Sequence, residues 1–237
     1  MTPRYFEVKL ALSRLIDGRE LGDALPPERI LAQKLGTSRT TLRKALAELE
    51  AEGKLRRTQG SGTFVAPPKL VQVRQLTSLT DDIGEAGRSL DSRVLELDRV
   101  AAHAEVAERL EIAAGERVYR LARLRLVDGD PLAYEIAWLP GELPDFARRL
   151  ARHGSLYTSL REEYGRELDE VEDSVETALA SPAEAELLGI GSGQPVLLIH
   201  RLGRDAHDRP IEWTRSVYRG DRFRFVARSR RERSGVV

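Results

Sequence analysis

Residues 24–65 read ALPPERILAQKLGTSRTTLRKALAELEAEGKLRRTQGSGTFV, and this stretch decides how the first part of the chain folds. Within it, apolar residues recur at helical spacing and predict the buried stripe of one helix: Leu42, Ala45, Leu46 and Leu49. Ser38 is well placed to cap the start of this helix, because its hydroxyl can accept a hydrogen bond from a backbone N–H of the first turn. The polar side chains at positions 39, 40 and 43 must then face away from the buried stripe.

A shorter helix precedes this one along the chain. Pro26 and Pro27 suit its start, where the backbone N–H groups have no partner inside the helix. The apolar residues of 30–35 mark its buried side, and Gly36 and Thr37 supply a tight turn. Two short helices joined in this way form a helix-turn-helix, whose second helix offers its N-terminal residues to base edges in the major groove of DNA.

Three side chains of the second helix have the chemistry for reading bases. Arg39 and Arg43 can each present two N–H groups to the two acceptors of guanine, and Thr40 can bond a base or touch a thymine methyl. Taken alone, this helix is equally compatible with an ordinary amphipathic helix whose polar face is solvated.

A glycine-rich hairpin follows the second helix. Leu55–Thr58 and Thr63–Val65 are predicted strands around the tip QGSG, where glycine lets the backbone approach a phosphate chain closely. An ordinary surface hairpin would have the same sequence pattern. The ordered array of two helices and a hairpin nevertheless favours a winged helix-turn-helix that binds double-stranded DNA.

The composition fits two compact domains of different charge. With 237 residues, of which 41% are hydrophobic, the chain can form two cores. Residues 1–69 carry 13 Lys or Arg against 8 Asp or Glu, whereas the remainder carries 25 against 30. A basic first part joined to an acidic second part is typical of a polyanion-binding module attached to a separate domain.

Several classes of protein are disfavoured. No run of about 18 apolar residues occurs, so we expect no membrane partner. The absence of cysteine excludes disulfides and thiolate metal sites, and the four histidines have neither metal-ligand nor catalytic-triad spacing. We therefore expect no metal and no cofactor. The first ten residues lack the apolar segment of a secretory signal, so we expect a cytoplasmic protein.

The second part of the chain predicts an antiparallel α+β domain. We place the first domain at residues 1–68, a linker at 69–76 and the second domain at 77–237. Pro67 and Pro68, directly before the linker, stiffen this connection. Apolar runs predict the strands Ser92–Val100, Arg117–Val127, Leu132–Leu139, Leu168–Leu179, Val196–Gly203 and Ile211–Tyr218. Helical spacing predicts helices at Glu105–Leu110, Asp145–Leu150, Ser155–Tyr164 and Pro182–Leu188. Asp128-Gly129-Asp130 is a strong hairpin signal between two of the strands.

Polar residues in these elements indicate an anion site. Arg123 and Arg125 lie two apart on one strand, so both project from one face of the sheet, although a strand arginine often pairs with a glutamate on the next strand. Ser155 and Tyr157 begin a helix, where backbone N–H groups favour a phosphate. A plain N-cap and a packed aromatic ring are the alternative. Thr80 is a candidate phosphate ligand or an N-cap.

Three further residues are candidates for contacting the uncharged part of a ligand. Glu135 and Glu212 lie near the middle of apolar strands and need partners if they are buried. Sugar hydroxyls are suitable partners, and so are arginines. Tyr218 is suited either to stacking on a ligand or to completing the core.

The first domain resembles a known family. The strings LPPER-x-LA, SRTTLRKAL-x-EL, EGKL and G-x-GTFV are similar to the winged helix-turn-helix of GntR-type bacterial transcription regulators. This resemblance implies DNA contacts at Arg29, Ser38, Arg39, Thr40, Arg43, Gln59 and Gly60.

The second domain also resembles part of that family. LTSLTDDI, R-x-R-x-x-DG-x-P-x-x-YE-x-x-W-x-P, GSLYTSL and EWTRSVYRGDRFRFVAR are similar to the UTRA effector domain of HutC-type regulators, whose fold is related to chorismate lyase. Within that subfamily the likeness is greatest to the DasR and NagR type, which regulate N-acetylglucosamine use. The resemblance implies phosphate contacts at Thr80, Arg123, Arg125, Ser155 and Tyr157, and sugar contacts at Glu135, Glu212 and Tyr218.

These observations together predict a ligand-controlled transcription factor. We expect a repressor that binds an inverted-repeat operator as a homodimer and responds to a phosphorylated amino sugar. Two alternatives stay open: a regulator of the same type that senses another anion, such as a different sugar phosphate or an organic acid, and an enzyme resembling the lyase.

Overall fold

A computed structural model of the chain describes residues 4–58, 60–73 and 89–227, without the side chains of residues 71–73. The chain divides into two compact units, one of Met1–Leu70 with Gly220–Arg224 and one of Val71–Arg219 with Phe225–Val237. The return of residues 220–224 to the first unit is a feature that sequence patterns did not predict. The last three residues of the predicted linker, 74–76, lie outside the described residues.

The described part of the first unit contains a helical core and a hairpin. Its elements are α1 (Arg4–Asp17), α2 (Glu28–Lys34), α3 (Arg39–Ala51), β1 (Leu55–Thr58) and β2 (Gly62–Val65), of which β1 and β2 pair antiparallel. This arrangement confirms the predicted winged helix-turn-helix.

The start and the orientation of α3 follow from two local causes. The hydroxyl of Ser38 accepts a hydrogen bond from the backbone N–H of Thr41 at 3.1 Å and so caps the helix. Leu42, Leu46 and Leu49 are at most 2% exposed in the core of the first unit. Each fully buried side chain of this type contributes about 1.5–3 kcal/mol relative to an exposed one. The opposite face of α3 is thereby turned outward.

The second unit is built on a six-stranded antiparallel sheet. Its strands are β4 (Leu90–Ala101), β5 (Arg117–Val127), β6 (Asp130–Leu139), β7 (Glu170–Leu179), β8 (Pro195–Arg204) and β9 (Pro210–Arg219), in the order β4-β5-β6-β9-β8-β7. The described helices are α4 (Ala104–Leu110), α5 (Phe146–His153), α6 (Leu156–Tyr164) and α7 (Pro182–Leu188). The predicted α+β class is confirmed, and the predicted strands and helices agree with these within a few residues.

Two strands were not predicted. Leu70–Val73 forms β3, within the predicted linker, and Phe223–Val226 forms β10; the two pair as a separate two-stranded sheet. Strands of four residues are too short for a pattern of alternation to be recognised in the sequence.

The two faces of the large sheet carry different side chains, because neighbours along a strand point to opposite faces. On one face, Leu121 and Ala137 pack with apolar residues of α5 and α6. On the other face, Trp138 and Trp213 stack with ring centroids 4.8 Å apart in a cluster with α4, and Leu124 belongs to a cluster with α7. The face covered by α5 and α6 also carries the buried charges described below.

The loop after α3 makes a specific demand for glycine. Gly53 has φ +74°, and a Cβ at this position would overlap the carbonyl group of Asp221, which belongs to the same unit.

We predict that Gly53→Ala lowers the free energy of unfolding by about 1 kcal/mol because of the left-handed backbone and by a further 1–3 kcal/mol because of the overlap. The control is Gly36→Ala, since Gly36 has φ +56° and no described atom within 4 Å of such a Cβ. Hydrogen exchange of the α3 amides in the full chain measures both losses, and equal losses would contradict the close approach of Asp221.

Candidate DNA interface and ligand pocket

The first turns of α3 and the tip of the hairpin form the candidate DNA interface. The predicted contact residues within the described ranges are all exposed: Arg29, Ser38, Arg39, Thr40, Arg43 and Gly60. Gln59 lies outside the described residues. The hydroxyl of Ser38 is already engaged with Thr41, so among these residues the arginines and Thr40 carry the outward-facing hydrogen-bonding groups.

A charged cluster that was not predicted adjoins this interface. Glu28, the first residue of α2, accepts a hydrogen bond from Nε of Arg43 at 2.7 Å through Oε2 and one from Nη2 of Arg57 at 3.4 Å through Oε1. One carboxylate thus contacts arginines from α3 and from β1.

The candidate ligand pocket lies in the second unit, on the sheet face covered by α5 and α6. The described members of the predicted effector site all line one small cavity of about 50 Å³: Arg123, Arg125, Glu135, Ser155, Tyr157, Glu212 and Tyr218. Thr80 lies outside the described residues. A cavity of this size holds a few water molecules, so it matches a phosphate group better than a whole sugar phosphate.

The two predicted strand arginines are buried in this pocket, with Arg123 3% and Arg125 4% exposed. Arg123 donates a hydrogen bond to Glu135, directly opposite on β6, and Nη1 of Arg125 lies 3.9 Å from the same carboxylate. The cross-strand pairing that competes with a ligand role is therefore present. Within the described residues, Nε and Nη1 of Arg123 have no hydrogen-bond partner.

The pKa values of these groups follow from burial and from their neighbours. Burial alone would raise the pKa of Glu135, but the positive charges of Arg123 and Arg125 outweigh it and lower this pKa. Burial and the like charge of Arg123 lower the pKa of Arg125. Glu135 is thus an ionised carboxylate that neutralises part of the arginine charge.

Glu212 is in a different state. It is fully buried, its Oε1 accepts a hydrogen bond from the hydroxyl of Tyr157, and its Oε2 has no partner among the described residues. Burial raises the pKa of Glu212 to about 7, although the hydrogen bond from Tyr157 and the charge of Arg201 oppose this shift. Near neutral pH this carboxyl group is therefore poised between its two protonation states.

Arg201 also lines the pocket and is held in place by Asp173, and the sequence analysis identified neither residue. Nε and Nη2 of Arg201 donate to the two oxygens of Asp173 at 2.7 and 2.9 Å, and Nη1 donates to the hydroxyl of Tyr157 at 3.4 Å. Burial opposes the charge of Arg201, but the partners Tyr157 and Asp173 raise its pKa. The pairing of β7 with β8, which places these two residues opposite each other, is not readable from either strand alone.

The remaining predicted residues have structural partners as well. The hydroxyl of Ser155 accepts a hydrogen bond from the backbone N–H of Thr158 at 3.3 Å and so caps α6. This is the N-cap that the sequence analysis gave as the alternative to a phosphate ligand. Tyr218 is 6% exposed, and burial raises its pKa. Thr214 and Ser216 also line the pocket. Glu212, Thr214, Ser216 and Tyr218 follow one another at every second position of β9, so all four lie on the same face of the strand.

Within the described ranges, no helix is long and apolar enough to cross a membrane. Nor does any group of three or more His, Asp or Glu side chains there have an arrangement that could hold a metal ion.

Two family models match the chain. One, described as bacterial regulatory proteins of the gntR family, matches residues 4–65, and the other, described as the UTRA domain, matches residues 85–224. The two matches correspond to the candidate DNA interface and to the unit that contains the pocket.

Similar proteins span almost the whole chain. It is 34% identical to the HTH-type transcriptional repressor NagR of Bacillus subtilis, over 94% of this chain and 93% of that protein. It is 33% identical to the histidine utilization repressor of Pseudomonas putida, over 95% and 92% respectively. The crystal structure of PhnF from Mycobacterium smegmatis is similar with a TM-score of 0.64 at 33% identity, over 94% of this chain and 99% of that one.

The states of Glu212 and Glu135 predict opposite effects of amide substitution. The raised pKa of Glu212 gives stability that is present below its ordinary value of 4.5 and is lost as pH rises through about 7. Glu212→Gln keeps the neutral state, so it should leave stability at pH 5 nearly unchanged and increase it by about 1–3 kcal/mol at pH 8.

Glu135→Gln is the matched control on the adjacent strand. The lowered pKa of Glu135 gives stability that is present above its ordinary value of 4.5, and the substitution leaves Arg123 buried without its ion pair. It should therefore cost about 3–5 kcal/mol at pH 8. Thermal denaturation of the full chain at both pH values measures these effects. Equal stabilities of parent and Glu212→Gln at pH 8 would contradict the raised pKa of the buried Glu212.

Proposed function

Since the chain belongs to the GntR family of bacterial regulatory proteins and is a transcriptional repressor of the HutC type, we propose that a phosphorylated amino sugar controls its binding to an operator. The effector is N-acetylglucosamine-6-phosphate or glucosamine-6-phosphate, and the repressor is a cytoplasmic homodimer. The convergence of seven predicted effector residues on one cavity is the observation that carries this proposal.

Operator recognition rests on the outward face of α3. Arg39 and Arg43 are exposed at the end of the helix that enters the major groove in this class of motif, and each has the N–H groups that guanine requires. Two copies of the unit read the two halves of an inverted repeat about one helical turn apart. The exposed glycine at position 60 allows the hairpin to approach the phosphate backbone.

The pocket favours an anionic group with hydroxyls attached to it. Arg123 and Arg125 provide two buried positive charges, and arginine binds phosphate through paired, charge-assisted hydrogen bonds. Ser155 lies beside them at the N-terminus of α6, where the helix dipole favours negative charge. Glu135 and Glu212 are acceptors for the hydroxyl and amino or amide N–H groups of a sugar.

Binding exchanges the partners of these side chains, because the cavity of about 50 Å³ leaves little space for a ligand while the side chains bond one another. The phosphate replaces Glu135 as the hydrogen-bond partner of Arg123, and the carboxylate of Glu135 then accepts hydrogen bonds from the sugar. In the same way a sugar donor replaces the hydroxyl of Tyr157 at Glu212. Since Tyr157 lies on α6 and Glu212 on β9, this exchange moves a helix relative to the sheet.

The movement is the physical basis for control of DNA binding. Filling the pocket makes the free energy of operator binding about 1–3 kcal/mol less favourable. Operator binding is then about 5–150-fold weaker, which is enough for induction. The chain is a regulator rather than an enzyme: the relatives that span it are named as repressors, and its structural neighbours as transcriptional regulators.

The effector half of the proposal is tested by release from DNA. We predict that glucosamine-6-phosphate or its N-acetyl form releases the parent protein from its operator. Arg123→Ala is less stable, because Glu135 loses its ion pair, but at a temperature at which it is folded it should bind the operator normally and not be released. The control is Arg120→Ala, since Arg120 is on the same strand and pairs with Glu96 rather than lining the pocket. Fluorescence anisotropy with a labelled operator measures release. Release by an organic acid such as urocanate, and by neither sugar phosphate, would replace the proposed effector.

The DNA half is tested on α3. We predict that Arg39→Ala weakens operator binding by about 1–3 kcal/mol and relaxes the preference for one base in each half-site. Arg14→Ala, which changes an exposed arginine near the end of α1 rather than one on α3, removes the same charge and serves as control. Binding to a panel of singly substituted operators measures both effects. An unchanged preference in Arg39→Ala would contradict base readout by this residue.

A further inference from the structure

Glu28 occupies an unusual place beside the candidate DNA interface. Its carboxylate is 25% exposed and bonds Arg43, 57% exposed, through one oxygen and Arg57, 44% exposed, through the other. The three residues come from α2, α3 and β1, so one acidic side chain joins the two helices of the helix-turn-helix to the hairpin.

The geometry of the contact with Arg43 leaves its outer edge available. Glu28 engages Nε at 2.7 Å, and within the described residues no other hydrogen bond to this guanidinium occurs. The two terminal nitrogens of Arg43 therefore keep the N–H groups that match the two acceptors of guanine. A long side chain held at Nε also loses less rotational freedom when it binds, because the carboxylate has already restricted its orientation.

We propose that Glu28 is a positioning residue for operator recognition: it holds Arg43 so that its terminal nitrogens face a base, and it ties the hairpin arginine Arg57 to the same point. This inference rests on the proposed role of Arg43 in reading DNA and adds a residue that does not itself contact a base.

Electrostatics supports a role in specificity rather than in affinity. A carboxylate next to the phosphate backbone opposes binding to any DNA sequence, since non-specific affinity comes from positive charge. Exposed ion pairs also contribute little to folding stability. Glu28 therefore weakens the general attraction to DNA and adds little to folding stability. Its effect on the orientation of Arg43 explains its presence at this position.

A competing explanation is that Glu28 only stabilises the start of α2, where an acidic residue interacts favourably with the helix dipole. Glu28→Asp separates the two explanations. Aspartate keeps the negative charge at the helix N-terminus, but its side chain is one methylene shorter and cannot reach both arginines. Glu28→Gln keeps the length and a carbonyl acceptor but removes the charge.

The experiment selects the preferred operator of the full-length parent from a randomised duplex library and then measures the base preference of each variant at every position. We expect Glu28→Asp to flatten the preference by about fivefold or more at one position of each half-site. This should be the position that Arg43→Ala flattens. Affinity for random duplex should be unchanged in Glu28→Asp and severalfold higher in Glu28→Gln, which should keep part of the preference.

Glu48→Asp is the matched control, because Glu48 lies on α3 and pairs with Lys9 of α1. It should leave the base preference unaltered, and thermal denaturation checks that all variants are folded. If Glu28→Asp retains the full preference while Arg43→Ala loses it, the positioning role is overturned and the proposed function stands. If neither variant loses preference, Arg43 does not read a base, and the positioning role falls together with that part of the proposed function.

Discussion

The burial of charged groups in the middle of a β-sheet is the constraint on which the second unit depends. Removing an arginine from water is costly unless an opposite charge and hydrogen bonds compensate for it. Arg123, Arg125 and Arg201 meet this requirement through Glu135 and Asp173. Such a cluster is stable only while its members are balanced, and a ligand that brings its own charge changes the balance. Under the proposed function, the phosphate of the effector is the anion that changes this balance.

The first unit uses charge in the opposite way. Its core is apolar and the arginines of its candidate DNA interface are exposed, so their ion pairs are weak and are easily exchanged for contacts with DNA. Glu28 limits the orientations of two of these arginines, because its carboxylate accepts hydrogen bonds from both Arg43 and Arg57. Under the two proposals, buried ion pairs are exchanged on ligand binding in one unit, and an exposed ion pair orients a side chain before DNA binding in the other.

Much of this organisation was predictable because it depends on local patterns. The leucine spacing of α3 and the capping by Ser38 are properties of neighbouring residues, and both predictions are confirmed. The hairpin at Asp128-Gly129 follows from positive φ angles of 52° and 83°, which favour these residue types. The strand positions of Arg123 and Glu135 were likewise predicted, together with the possibility that such residues pair across strands.

What was not predicted depends on contacts between residues that are distant in the chain. Asp173 and Arg201 meet because β7 pairs with β8 in one register, and no local pattern encodes that register. Tyr157 was predicted as a phosphate ligand or a packed ring, but its hydroxyl bonds the buried Glu212, 55 residues away. Glu28 was read as part of a motif, whereas its contacts with Arg43 and Arg57 required the folded unit.

A crystal structure of the full chain bound to glucosamine-6-phosphate tests the exchange of partners most directly. We expect phosphate oxygens about 2.7–2.9 Å from guanidinium nitrogens of Arg123 and Arg125, with Glu135 released from Arg123 and accepting hydrogen bonds from the sugar. A ligand bound elsewhere, with the Arg123–Glu135 and Tyr157–Glu212 pairs intact, would contradict this exchange.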